Sequence, residues 1–475
     1  MKRRALLPRL SARWTLILAL MAAVAMPAQQ VRFVGKTKYL NNAKAVVVHS
    51  IDDSTKFVPE TIDVMDRYGI KSTIFVSTDP DPAPEDRFFT QLQIRGLWPR
   101  LREAIAAGHE IGSHSRQHPC QKPDDEKFCS AAYSDYEITG SRDDILRLTQ
   151  QPHVWTWCYP CGNCATYPFI QQRIAAAGYL VARNYPNELT NGHIRPDVQD
   201  FDSNAMNAGY TQVVQHRGMA KTDPIDLPAL NAKFDEVYAK GGVYHFMSHP
   251  QWLDFGADAF YEAHVRYVSR HRDVWYVPMG PLYAFRTIRD RTAVTQSGNS
   301  FTVSNGLDRR IYNGTLTLEF DAPAGTSVLS NGKLLSEQGE AMTDRWDREY
   351  IRRDGAKLYA TVLSNTKLQF LPATTPADLS GTWKLSYRAP NGKERAAQLV
   401  LQQSGTQLSG TLSSERGKAP ITEGRVNGNQ VALTIVRKGH GVEVPIALAG
   451  IWADGRLHLT LQFGGAEPVG ATASR

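Results

Sequence analysis

The chain reads as an α/β domain of parallel strands followed by two small all-β units, and three observations carry that reading. Over residues 44–290 continuous apolar runs alternate with amphipathic stretches, the pattern of strands buried on both faces and joined by helical crossovers. Past about residue 290 the runs turn short and alternating and are punctuated by Asn-Gly and Gly, as antiparallel hairpins require. At 475 residues the chain also exceeds one ordinary domain. The parallel strands make either an open sheet or a barrel.

Taken in order, residues 1–28 start with Lys2, Arg3, Arg4, Arg9 and Arg13 and run into the apolar "WTLILALMAAVAM" (14–26). Thirteen apolar residues fall short of the roughly 20 that span a bilayer. The small residues of "AMPAQQ" predict cleavage after Ala28. A secreted or periplasmic protein follows, with no membrane span once mature. Without that segment the formal charge of +7 falls to +2, which gives no reason to expect a nucleic-acid partner.

Residues 29–290 form the α/β unit. Its strands are "KAVVVHS" (44–50), "STIFVS" (72–77), "HEIGSHS" (109–115), "HVWTWCYP" (153–160), "GYLVARN" (178–184), "GGVYHFMSH" (241–249) and "DVWYVP" (273–278). Helical stretches lie between them, among them "FVPETIDVMDRYGI" (57–70), "FIQQRIAAAGY" (169–179) and "LPALNAKFDEVYAKGG" (227–242). Residues 291–371 read as a β-sandwich-like unit. The Pro-bearing "LPATTPADLSG" (371–381) is a linker, and 377–475 are successive hairpins of a barrel-like unit.

Chemistry gathers at strand ends. Asp52 and Asp53 stand side by side after the first buried strand, and like charges so close ionise together only beside a cation or a shared proton. His114 and His118 follow another strand at an i, i+4 spacing, which on a helical turn aims both imidazoles at one ion. Two histidines and one carboxylate are a zinc-type donor set that leaves a position open for water. The second carboxylate is then placed to take a proton.

"SIDDS", "HSRQHP", "WCYPCG" and "HFMSHP", in that order and spacing, resemble the motifs of the polysaccharide deacetylase family, carbohydrate esterase family 4. The resemblance covers about residues 40–285. It implies a distorted (β/α) barrel that removes N- or O-acetyl groups from glycans with one divalent metal ion, often Zn2+. Carried over by position, it makes Asp52 the catalytic base, Asp53, His114 and His118 the metal ligands, and His249 the general acid. Cys161 takes a tyrosine's place and would offer its backbone N–H to the oxyanion, a contact worth about 3 kcal/mol. There are departures. Ser54 replaces a glycine, Cys158 stands where many members carry an arginine that orients the base, and the Asp-Trp segment that partners this arginine is not evident. Asp197, Asp200 and Asp202 are the candidates for it.

Five cysteines in an exported chain predict disulfides. Cys120 with Cys129 would close the loop after the histidines, and two of Cys158, Cys161 and Cys164 would staple their own loop unless the loops pair across. Tyr159 and Trp252 are the expected substrate contacts among the aromatics near the site. Trp383 and Trp452 belong to β cores. The reading is a secreted metal-dependent deacetylase of an acetylated polysaccharide. Its rivals are hydrolysis of another non-peptide C–N bond on the same barrel and a non-catalytic glycan-binding envelope protein.

Overall fold

A computed structural model describes residues 30–79, 91–121, 124–183, 214–215, 227–253, 255–339, 348–372, 378–389, 392–439, 442–464, 466 and 468–475. The predicted export segment and Asp197, Asp200 and Asp202 lie outside these residues. In chain order the first part holds β1 (Arg32–Lys36), β2 (Ala45–Ile51), α1 (Val58–Arg67), β3 (Ser72–Val76), α2 (Gln91–Ala106) and β4 (Glu110–Ser113). Then come α3 (Glu126–Ala132), α4 (Asp135–Thr149), β5 (Thr156–Cys158), α5 (Pro168–Ala176), β6 (Val181–Arg183) and β7 (Val214–Gln215). The unit ends with α6 (Leu227–Lys240), β8 (Val243–Ser248), α7 (Phe260–Val268), β9 (Val274–Tyr276) and α8 (Met279–Arg291).

Strands β2 to β9 form one parallel sheet in the order β6-β5-β4-β3-β2-β8-β7, with β9 on the first half of β2. This is the curled sheet of a (β/α) barrel, not closed between β6 and β7 among the described residues. Every residue of β2, β3, β4 and β8 is buried, as expected for strands covered on both faces. Helix α8 closes the end away from the site. Its first N–H groups, which no helical carbonyl can reach, are taken by Thr73 Oγ1 (2.7 Å from Met279 N) and Glu110 Oε2 (2.8 Å from Gly280 N). A Cβ on Gly280 would come within 2.2 Å of Glu110 Oε1, so only glycine fits there. Burial raises the Glu110 carboxyl to about 7, against these donors.

The all-β part differs from expectation in one respect. β1, which follows the predicted cleavage site, pairs antiparallel with Thr315–Asp321 and so belongs to the sandwich. Two five-stranded sheets make that sandwich. Its Phe301, Phe320 and Phe370 share a single apolar cluster with Val46 and Phe75 of the parallel sheet and with Leu282 and Phe285 of α8. Gly381–Arg388 through Val469–Ser474 form a closed eight-stranded antiparallel barrel. Trp383, Leu399, Leu433, Leu448 and Leu459 pack in its core, which leaves it filled, as small barrels are. Among the described residues no helix is long and apolar enough to cross a membrane.

Candidate active site

The parallel register decides which residues meet. Ile51 pairs with Ser248, so Asp52 and His249 leave adjacent strands side by side, and the Asp52 N–H donates to Ser248 O at 3.0 Å. His114 follows β4, and Cys158 pairs with Arg183 at the ends of β5 and β6. All of these lie at the C-terminal ends of parallel strands, the end at which barrel enzymes carry their chemistry.

Asp53, His114 and His118 converge. Asp53 Oδ1 lies 3.5 Å from His114 Nε2 and 3.4 Å from His118 Nε2, and the two nitrogens are 3.2 Å apart. The edges of a tetrahedron around an ion with about 2.0–2.1 Å bonds measure about 3.3–3.4 Å, so the donor set fits one face of a zinc-type site. His114 Nδ1 is 3.0 Å from the Cys158 carbonyl. That oxygen has no proton to give, so Nδ1 carries the hydrogen and Nε2 presents a lone pair. Asp53 Oδ2 accepts from Gln251 Nε2 at 2.8 Å, which leaves Oδ1 facing the histidines.

The His114–His118 turn is not helical. Ser115 and His118 adopt left-handed backbone (φ 68° and 58°), and the His118 N–H donates to Ser115 Oγ at 2.9 Å. Helix α4 braces this loop through Glu137, whose Oε2 accepts the N–H groups of Arg116 and Gln117, each at 2.9 Å. Burial pushes the Glu137 carboxyl up, against those two donors. Asp144 on the same helix holds the Arg116 guanidinium at 2.8 Å. Because supporting groups of this kind are worth about 10–100-fold in metal affinity, Glu137→Ala is expected to weaken zinc binding by that factor in a chelator competition. Unchanged affinity would mean that the loop holds its shape without α4.

Asp52 is 2 % exposed and is held from an unexpected strand. Arg183, one strand over from Cys158 at the same register, reaches both Asp52 Oδ2 and Cys158 Sγ with its Nη2. The guanidinium is fully buried and also meets Met247 Sδ at 3.1 Å. Burial alone would lower the Arg183 pKa, but Asp52 and Cys158 raise it above the ordinary guanidinium value. Asp52 Oδ1 is buried and accepts no hydrogen bond among the described residues. His249 Nε2 stands 3.9 Å from Asp52 Oδ2. Burial pushes its imidazole down although Asp53 and Asp52 pull it up. His245, on the same strand, turns to Ser50 Oγ at 3.0 Å and does not join the ligand set.

Other candidates fall differently. The cysteines pair across loops, Cys120 with Cys161 and Cys129 with Cys164, so the local Cys120–Cys129 closure is not made; Cys158 is the free, buried thiol. Ser54, in glycine's place, ties the loop to β3 by accepting the Ser77 N–H at 2.9 Å, while the left-handed residue is Asp53 (φ 64°). Tyr159 is 1 % exposed and packs against Tyr133 and Trp157. Its ring belongs to the core, where a glycan does not reach. Trp252 ends the short turn Pro250–Trp252, and its side chain lies outside the described residues.

Residues 40–181 match the family model described as polysaccharide deacetylase, a stretch that includes Asp52, Asp53, His114, His118 and Cys161 and stops short of Arg183 and His249. No curated protein matches the chain. Among solved structures it is similar to the catalytic domain of a peptidoglycan N-acetylglucosamine deacetylase from Eubacterium rectale (14% identity, 52% of this chain and 92% of that chain, TM-score 0.32). It is also similar to a family 4 carbohydrate esterase from Streptomyces lividans (12% identity, 50% and 92% covered, TM-score 0.31). A third is the chitin deacetylase of Colletotrichum lindemuthianum (12% identity, 52% and 90% covered, TM-score 0.34).

Proposed function

We propose, from a chain whose residues 40–181 carry the polysaccharide deacetylase match, that this site hydrolyses acetyl groups on an exported glycan. The observation that carries the reading is a triangle of one carboxylate oxygen and two imidazole nitrogens 3.2–3.5 Å apart, with Asp52 Oδ1 buried and without a hydrogen bond among the described residues. Asp53, His114 and His118 would hold a divalent ion, zinc by the His₂Asp donor chemistry, which when bound would acidify a water and polarise the acetyl carbonyl. Asp52 takes the water's proton at Oδ1, since Arg183 occupies Oδ2. The Cys161 N–H is outside the hydrogen bonds of its own turn, which run from Gly162 N to Tyr159 O and from Asn163 N to Pro160 O. It donates to the oxyanion. His249, facing Asp52, returns a proton to the departing amine or alkoxide. Two disulfides and the apolar segment 14–26 support an oxidising, extracytoplasmic location.

The test is bound metal and released acetate together. The mature protein is expected to hold about one divalent ion per chain and to release acetate from N-acetylglucosamine tetramer or acetylated xylan. Metal with no acetate from either, but with retained binding to chitin or peptidoglycan, would make it a glycan-binding protein. No metal even after zinc reloading would remove the hydrolase mechanism altogether.

A further inference from the structure

We infer that the Cys120–Cys161 disulfide is a catalytic positioning element, tying the oxyanion donor to the metal loop; this rests on the deacetylase reading and on the role it gives the Cys161 N–H. Cys120 lies two residues beyond the ligand His118, and Cys161 bears the donor itself, so one covalent link joins the two halves of the site. Cys161 holds a left-handed backbone (φ 54°, ψ 14°) and is followed by Gly162 at φ 69°. A non-glycine residue keeps such a conformation only when its surroundings enforce it. The ends of the Tyr159–Cys164 loop have other anchors. The Tyr159 N–H donates to Arg183 O at 3.1 Å, Asn163 Oδ1 accepts the Gln121 N–H at 2.8 Å, and Cys164 is held by Cys129 and by Asp124. The covalent tie at the centre of the loop, where the donor sits, is Cys120.

The ligands have independent support. His114 is fixed by β4 and the Cys158 carbonyl, and the His118 loop by Ser115 and Glu137. Cutting the cross-link therefore displaces the oxyanion donor and spares the ion. Because an oxyanion donor acts on the transition state and tolerates little misplacement, the loss belongs in kcat. Cys120→Ala is expected to keep about one zinc per chain and KM within about two-fold, while kcat on N-acetylglucosamine tetramer or acetylated xylan falls by about 10–100-fold. Cys161→Ala, which retains the N–H, should reproduce this, and Cys161→Ser takes over the test if Cys120→Ala does not fold. Cys129→Ala/Cys164→Ala removes the other link and should lower Tm with little change in kcat. Retained kcat in a Cys120 or Cys161 variant, a loss that tracks zinc content, or an equal kcat loss in the Cys129/Cys164 variant would each overturn the inference. A wild type that releases no acetate would instead overturn the deacetylase reading beneath it.

Discussion

Asp52→Asn is expected to keep its metal, about one ion per chain, and to lose about 10³-fold in kcat. Asparagine preserves the shape of the side chain and can still accept from Arg183 through its amide oxygen. What it lacks is the second carboxylate oxygen, Oδ1, which the wild type leaves buried and without a donor among the described residues. The proposed ligands are Asp53, His114 and His118, and the reading gives Asp52 no place among them. His118→Ala is the contrasting case. It removes one of three ligands, so metal and acetate release should disappear together. The two variants separate proton transfer from metal binding: one readout is metal by elemental analysis, the other acetate under saturating substrate. An Asp52→Asn enzyme with wild-type kcat would move the base elsewhere, with His249, whose Nε2 stands 3.9 Å from Asp52 Oδ2, the first candidate.

Much of the candidate site was legible because its residues sit in short contiguous motifs. Adjacent aspartates and a His-x-x-x-His spacing single out the residues that converge within a few positions, and buried apolar runs with helical crossovers place them at strand ends. What was hidden depends on register between distant strands. Arg183 ends the strand Val181–Arg183 after two apolar residues, and a cation there needs a buried anion; nothing local says that the anion is Asp52, 131 residues earlier. The cysteines mislead for the same reason. Their spacing favours closing each loop on itself, whereas folding brings the loops after β4 and β5 together and the links cross. β1 is hidden by order in the chain, since a strand that precedes the α/β unit completes a sandwich whose other strands begin at Ala293.

Arg183→Met tests the arginine that reaches Asp52, and its effect should be large in two respects. Removing one partner of a buried ion pair leaves the other charge uncompensated, at a cost of roughly 3–5 kcal/mol. At roughly 2–4 °C of Tm per kcal/mol for a domain of this size, a drop of about 10 °C is expected. Activity should fall as well, because Asp52 loses the donor that fixes Oδ2. Arg183→Lys keeps the charge, but its single ammonium group cannot reproduce the planar fork that meets Asp52, Cys158 and Met247; it should recover Tm more than the rate. The double variant Arg183→Met/Asp52→Asn isolates the pair. With both charges gone it should regain a large part of the lost Tm while remaining inactive. A double variant no more stable than Arg183→Met alone would mean that Asp52 is not the anion Arg183 serves, and Cys158 would then be its principal partner.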